Sequence, residues 1–180
     1  FISMNNITKT NTAPYVRLLG RLTKPFPNFD FSFIKPVRQK AVELLDLKPG
    51  DRVIDAGCGS GGSFPNLVNA LGPTGEVVGI EISPNSKAAA DRRIKKNGWE
   101  NVQVIESDVR TVALTGKFDG LLMFAAADVY ASEEALGAMM PHLKENARIA
   151  FFGAKLSRTG VGRMLNPVFR SLFKLSFATT

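Results

Sequence analysis

The sequence predicts an α/β domain built on an open, mostly parallel sheet, and three observations predict it. The run Val53-Ile54-Asp55-Ala56 is short, apolar and marked by an acid, and it breaks into Gly57-Cys58-Gly59-Ser60-Gly61. Two further apolar runs end the same way, Val77-Val78-Gly79-Ile80 in Glu81 and Val102-Gln103-Val104-Ile105-Glu106-Ser107 in Asp108. The three acids recur about every 26 residues, enough for a helix to cross back over the sheet and feed a parallel neighbour. Each carboxylate would then arrive at the carboxyl end of its strand, where open α/β sheets bind their ligands.

The elements follow in order. An N-terminal helical flank, 1–50, carries Tyr15, Leu18, Leu19 and Leu22 at helical spacing, then a Pro/Phe-rich link from Lys24 to Phe33. A second helical pattern, Ile34, Val37, Ala41, Leu44 and Leu45, is stopped by Pro49-Gly50. The ligand-binding domain spans 51–154. Its first strand is predicted at about 52–56, with a helix running to Leu71 before the turn Gly72-Pro73-Thr74-Gly75. The second strand is expected near 76–81. Ser83-Pro84 then offers a capping hydroxyl and a proline at the first helical position, and Gly98 a matching stop. Strands three and four are expected near 102–106 and 118–124, a helix opens at Ser132-Glu133-Glu134, and a fifth strand runs from about Arg148 to Gly153. The segment 155–180 is basic and amphipathic. Val161, Met164, Leu165, Val168, Phe169, Leu172 and Phe173 share one helical face, with Arg163, Arg170 and Lys174 between them. That face can cover the sheet beside strand five or lie on a lipid surface, the first reading being preferred.

The glycines narrow the ligand. A strand that turns sharply into a helix needs residues tolerant of positive φ, and a ligand pressed on the turn leaves no room for a Cβ. Gly57, Gly59 and Gly62 also satisfy the dinucleotide pattern G-x-G-x-x-G, which keeps a nicotinamide-dependent oxidoreductase in view. Asp55 argues against it. A carboxylate two residues before the first glycine faces a pyrophosphate unfavourably but suits a ligand carrying an ammonium and a sulfonium.

On these residues the chain resembles the class I S-adenosylmethionine-dependent methyltransferases. The resemblance is carried by Asp55-Ala56-Gly57-Cys58-Gly59-Ser60-Gly61, Gly79-Ile80-Glu81-Ile82-Ser83, Glu106-Ser107-Asp108-Val109 and Phe118-Asp119-Gly120-Leu121-Leu122, in the family's order. It implies a Rossmann-like sheet of strand order 3-2-1-4-5 with helices on both faces. It also implies that the loop Asp55 to Gly61, including Cys58 and Ser60, holds the methionine end of S-adenosylmethionine. Glu81 would then accept from both ribose hydroxyls, Asp108 would take the adenine amino group, and Val109 would lie beside the ring. Ile82 and Phe124 complete the cofactor-binding set. The product would be S-adenosyl-L-homocysteine. The acceptor is expected to be a small molecule or lipid-like, as in the quinone and phospholipid methyltransferases. The loop after strand four lacks an Asn-Pro-Pro-Tyr sequence, which argues against the adenine-N6 and cytosine-N4 nucleic-acid methylases.

Composition bounds the rest. At 180 residues and 44% hydrophobic the chain can build one globular core. No apolar run approaches the roughly 18 residues of a membrane span, no signal peptide is evident, and a single cysteine excludes an internal disulfide and offers no metal-ligand cluster, so the cytoplasm is the expected compartment. The net charge of +7 is uneven: residues 1–50 hold 8 basic and 3 acidic side chains, 51–150 hold 10 and 13, and 151–180 hold 5 and none. Of 13 phenylalanines, five lie in each flank. Peripheral contact with an anionic membrane is therefore expected ahead of a nucleic-acid partner.

Single residues carry competing readings. Cys58 is read as a small packing residue of the turn rather than a nucleophile. His142, the only histidine, is read as solvated, and Arg92-Arg93-Lys95-Lys96 as a solvated helix face rather than a nucleic-acid patch. Asp128 and Tyr130 follow Ala125-Ala126-Ala127 at the mouth of strand four, where substrate positioning and ordinary loop structure are equally open. Asp128 is the sole candidate base, needed only if the acceptor must lose a proton.

The family normally follows strand five with a helix and an antiparallel strand pair; with the sequence running to Thr180, either a fragment or a minimal domain without that pair is expected. Phe1-Ile2-Ser3 before Met4 is unlike a native start, so a fragment that binds cofactor without turnover is a third reading. Strand five, with Ile149-Ala150-Phe151-Phe152, would lie at the sheet edge, where a homodimer or the folded-back segment 155–180 is expected to cover it.

Overall fold

The computed structural model describes residues 34–153. The helical pattern at Tyr15 to Leu22, the Pro/Phe-rich link and the amphipathic face of Val161 to Phe173 lie outside them.

Five strands, β1 (Arg52–Ala56), β2 (Glu76–Glu81), β3 (Val102–Glu106), β4 (Phe118–Phe124) and β5 (Leu143–Phe152), form one sheet of order β3-β2-β1-β4-β5, parallel throughout. This is the order expected of a Rossmann-like fold. Between them run helices α1 (Lys35–Glu43), α2 (Phe64–Leu71), α3 (Pro84–Asn97), the single turn α4 (Ala127–Tyr130) and α5 (Glu133–Met139), then a 3-10 turn at Met140–His142. None of the described helices is long and apolar enough to cross a membrane.

Strand alternation divides the core into two layers. Val53, Val77 and Leu122 join Ala41, Val42 and Leu45 from α1 and Phe64, Leu67 and Leu71 from α2. Their neighbours Ile54, Val78 and Leu121 join Val129, Ala135 and Met139 from α4 and α5 on the opposite side. Successive side chains of a strand point to opposite faces, so a continuous apolar strand needs cover on both.

Local chemistry sets the helix ends. Ser83 caps α3, its side chain accepting from the Ser86 N–H at 3.4 Å, and Gly98 closes the helix at φ +64°. Ser132 caps α5 by accepting from the Ala135 N–H at 3.1 Å. At the end of the sheet remote from the glycine turn, Asp119 ties three strands together. It accepts from the Arg52 N–H at 3.0 Å and pairs with Lys144 Nζ at 2.7 Å.

One boundary differs from expectation. β5 begins at Leu143, five residues before Arg148, because Leu143 pairs with Phe118 and the register then slips so that Arg148 faces Gly120. The extra residues include Lys144, Glu145 and Asn146, all exposed, and a solvated bulge of this kind leaves no alternation to read.

Candidate functional site

The carboxyl ends of β1, β2 and β4 converge on the glycine turn. Gly57 N–H and Cys58 N–H both donate to the Ile80 carbonyl, at 2.9 and 3.1 Å, which locks the turn to β2. Gly57, Gly59 and Gly61 all hold positive φ, the left-handed region that costs a side-chain-bearing residue about 1–2 kcal/mol. Two of them differ in their surroundings. A Cβ on Gly57 would sit 2.7 Å from the Ala126 Cβ, so this glycine lets the β1 turn pass against the loop after β4. Among the described residues, a Cβ on Gly59 would meet nothing within 4 Å, so the middle of the turn is left open by them. That cradle is where a ligand fits.

Glu81 orients the cradle. It is 9% exposed, and its two oxygens each accept one backbone N–H at 2.8 Å, Oε2 from Gly59 and Oε1 from Ser83. Each carboxylate oxygen has two acceptor positions, so among the described residues one on each remains open. The carboxylate is held rigid by the backbone while keeping two adjacent acceptor positions, the number a pair of ribose hydroxyls requires. Ile82 beside it is an exposed large apolar side chain.

Asp55 lies one strand over, opposite Gly79 on β2 and Leu122 on β4. It is 1% exposed, and neither oxygen has a hydrogen-bond partner among the described residues. Burial pushes its carboxyl up to about 7; the Arg38 charge draws it down and the Glu81 charge adds to the rise. A buried carboxylate without hydrogen bonds is costly, and in a native fold such a group points to something that completes it.

Asp108 follows β3 and is held differently. The Arg110 guanidinium grips both oxygens, through Nε at 2.9 and 3.0 Å and through Nη2, while the Arg110 N–H donates to Oδ1 at 2.9 Å. These hydrogen bonds hold the carboxyl below its usual range. They also fill the acceptor positions that an adenine amino group would use, so Arg110 must give way for that contact to form. The pair is partly exposed and such pairs contribute little, which keeps the displacement cheap. Val109 is buried in the core layer of Ile54 and Val78.

The other expected positions separate. Cys58 is buried with its thiol pushed well up by burial, and a Cβ on Gly79 would lie 2.8 Å from its sulfur. Burial and the raised thiol disfavour the thiolate, and the sulfur packs closely against β2. Ser60 is half-buried in the turn. Phe124 is buried, stacked on Phe152 at 4.8 Å, with the Arg38 guanidinium 4.8 Å from its ring centroid. Asp128 is exposed on α4, and its charge acts on Arg110 together with that of Glu134. Tyr130 stacks on Phe151 at 5.5 Å. Arg92, Lys95 and Lys96 are exposed, as a solvated face requires, and His142 is half-buried in the 3-10 turn.

Three features had no signal in the motifs. Arg38 reaches the turn from α1, Arg110 caps Asp108, and Ala125, a non-glycine, holds φ +61° while its N–H donates to the Phe152 carbonyl at 2.8 Å. An alanine in that region is strained, and strain of this kind gathers at ligand sites.

Among the described residues, a buried carboxylate without a hydrogen-bond partner, an open cradle at Gly59 and the doubly anchored Glu81 lie together at the ends of β1 and β2. Residues 47–155, more than half of the chain, match the model of the methyltransferase domain family. The ubiquinone/menaquinone biosynthesis C-methyltransferase UbiE of Ectopseudomonas mendocina is 32% identical over 111 residues, 60% of this chain and 43% of that protein. The aklanonic acid methyltransferase DauC of Streptomyces sp. is 27% identical over 143 residues, 78% of this chain and 64% of that protein. The chain thus spans less than two thirds of either relative. The crystal structure of an S-adenosylmethionine-dependent O-methyltransferase from Thermotoga maritima superposes with a TM-score of 0.59 at 24% identity, covering 79% of this chain and 49% of that one, a likeness of fold. The nicotinamide reading of the glycines is thereby set aside: this chain belongs to the class I S-adenosylmethionine-dependent methyltransferases.

Proposed function

We propose that the protein transfers a methyl group from S-adenosylmethionine to a small or lipid-like acceptor. The observation that carries the reading is Glu81, fixed by two backbone amides with, among the described residues, one acceptor position open on each oxygen beside the open face of Gly59. S-adenosylmethionine supplies a methyl group on a sulfonium, already an excellent leaving group for in-line displacement. The protein therefore has to bind, align and exclude water. Asp55, Gly57, Cys58, Gly59, Ser60 and Gly61 would hold the methionine end, Glu81 the ribose, and Asp108 and Val109 the adenine, with Ile82 and Phe124 alongside. Asp128, exposed on α4 at the mouth of β4, would serve as base for an acceptor that must lose a proton.

The acceptor class rests on the relatives named for quinone and aklanonic acid chemistry and on the phenylalanine-rich basic flanks. Those flanks would bring a cytoplasmic protein to an anionic membrane surface, and the exposed Phe151 on edge strand β5 would support a homodimer. Calorimetric titration with S-adenosyl-L-homocysteine and with NAD tests the cofactor. Saturable binding of the first and none of the second is expected, and the reverse would overturn the reading.

A further inference from the structure

We infer that the second half of α3 is a docking face for single-stranded nucleic acid, whose phosphates are held by Arg92, Arg93, Lys95 and Lys96. This goes beyond the methyl-transfer reading and stands apart from its site. Ser83, which caps α3, donates its N–H to Glu81. At about 1.5 Å per residue, the first of the four cations comes about 14 Å further along the helix axis.

Exposure alone would make these residues a solvated face; their lack of partners sets them apart. Elsewhere in the domain cations are compensated. Lys87 pairs with Asp91 earlier in α3, Arg52 with Glu76, Arg110 with Asp108 and Lys144 with Asp119. Arg92, Arg93, Lys95 and Lys96 enter none of the ion pairs formed among the described residues. The helix dipole accounts for Lys95 and Lys96 in the last turn, but its effect fades beyond that turn and leaves Arg92 and Arg93 unexplained. Arg92, Lys95 and Lys96 are exposed at separations of three and four residues, which puts them on one helix face.

The apolar side of α3 is already taken. Ala90 is buried, Ile94 and Trp99 pack against the layer that contains Phe64, and Trp99 meets the Phe64 ring edge-on at 6.5 Å. None of the exposed large apolar side chains among the described residues lies on α3, so this face has nothing to insert into a bilayer. A flat lipid surface would also meet Asp91 and Glu100, which are exposed on either side of the cations in sequence. A narrow polyanion avoids both. Two arginines fork onto phosphate oxygens and two lysines add point charges. Half-buried Trp99, just past the end of the helix, supplies an aromatic surface of the kind on which bases stack.

The test is fluorescence anisotropy of a labelled oligouridylate of about 12 nucleotides, titrated with the full chain at several salt concentrations. Arg92→Gln, Arg93→Gln, Lys95→Gln and Lys96→Gln combined remove the charge and keep good helix formers at exposed positions. The control removes equal charge from the C-terminal flank, as Arg158→Gln, Arg163→Gln, Arg170→Gln and Lys174→Gln. The α3 variant should bind the RNA at least about tenfold more weakly at about 0.1 M salt, and its slope of log affinity against log salt should flatten by about 3, at about 0.7 for each phosphate contact. Each single α3 replacement should flatten the slope by about 0.7, and the flank variant by less than about 1. Unchanged RNA binding in the α3 variant, equal weakening by both variants, or no RNA binding by the unsubstituted protein would each overturn the inference. So would loss of phosphatidylserine-vesicle binding in the α3 variant with RNA binding intact, which would assign the face to a membrane.

Discussion

Replacing Asp55 by Asn should change how stability responds to pH. The carboxyl is 1% exposed, without a hydrogen-bond partner among the described residues, and burial foremost raises its pKa from 3.8 to about 7. A group whose pKa is higher in the folded than in the unfolded chain holds its proton longer when folded. Its contribution to stability is fully present below about pH 3.8 and is lost as pH rises through about 7. At roughly 1.36 kcal/mol for each pH unit between those values the loss totals about 4 kcal/mol, of which about 2–3 kcal/mol falls between pH 5 and pH 8. Asparagine cannot ionise and has no such slope. Urea unfolding of both proteins across that range should show the stability difference moving in favour of Asp55→Asn by about 2–3 kcal/mol as pH rises. Parallel pH curves would refute the reasoning, because they would mean that Asp55 is ionised throughout or is solvated.

Three further outcomes follow from the same geometry. Gly57→Ala meets both positive φ and the Ala126 Cβ at 2.7 Å and should cost about 2–4 kcal/mol in urea unfolding, whereas Gly59→Ala, with open space around it, should cost about 1–2 kcal/mol; equal costs would contradict the packing at Gly57. Arg110→Ala frees the Asp108 carboxylate and should raise affinity for S-adenosyl-L-homocysteine by about two- to fivefold in calorimetry, a loss of affinity showing instead that Arg110 helps hold the ligand. Asp119→Ala removes a tie among β1, β4 and β5 and should destabilise the fold by about 1–2 kcal/mol at neutral pH. Burial raises the Asp119 carboxyl, but Lys144 and the Arg52 amide outweigh it and hold the pKa below 3.8, so the difference should shrink as pH falls through that lowered value; a difference constant with pH would contradict the pairing.

What could be read from the sequence and what could not divide along local and non-local lines. The first four strands were legible to the residue because each is a short apolar run, and the turn glycines Gly50, Gly57, Gly75 and Gly116 and the capping Ser83 that punctuate them act through neighbours in the chain. Ser83 and Gly98 bound α3 for the same reason. The first half of β5 was hidden because Lys144-Glu145-Asn146 sit in a solvated bulge held by backbone pairing to β4, which leaves no side-chain pattern. The three strand-end acids were legible as a set, but their states were not. Glu81 as the anchor of the Gly59 and Ser83 amides, Asp55 as an orphaned buried carboxyl and Asp108 as the partner of Arg110 all follow from packing and rotamers. Arg38 was illegible for a stronger reason. It reaches the glycine turn from a separate helix, and nothing in its own neighbourhood of sequence marks it. Ala125 similarly takes a left-handed conformation that its identity disguises.

We propose that Glu81, with two acceptor positions open among the described residues, takes the ribose of an S-adenosylmethionine-type ligand, and calorimetric titration of Glu81→Ala with S-adenosyl-L-homocysteine tests this most directly. Losing hydrogen bonds to a charged acceptor should cost about 2 kcal/mol, a fall in affinity of about 30-fold, in a variant first shown by thermal melting to be folded. An affinity equal to that of the unsubstituted protein would contradict the claim and remove Glu81 from the site.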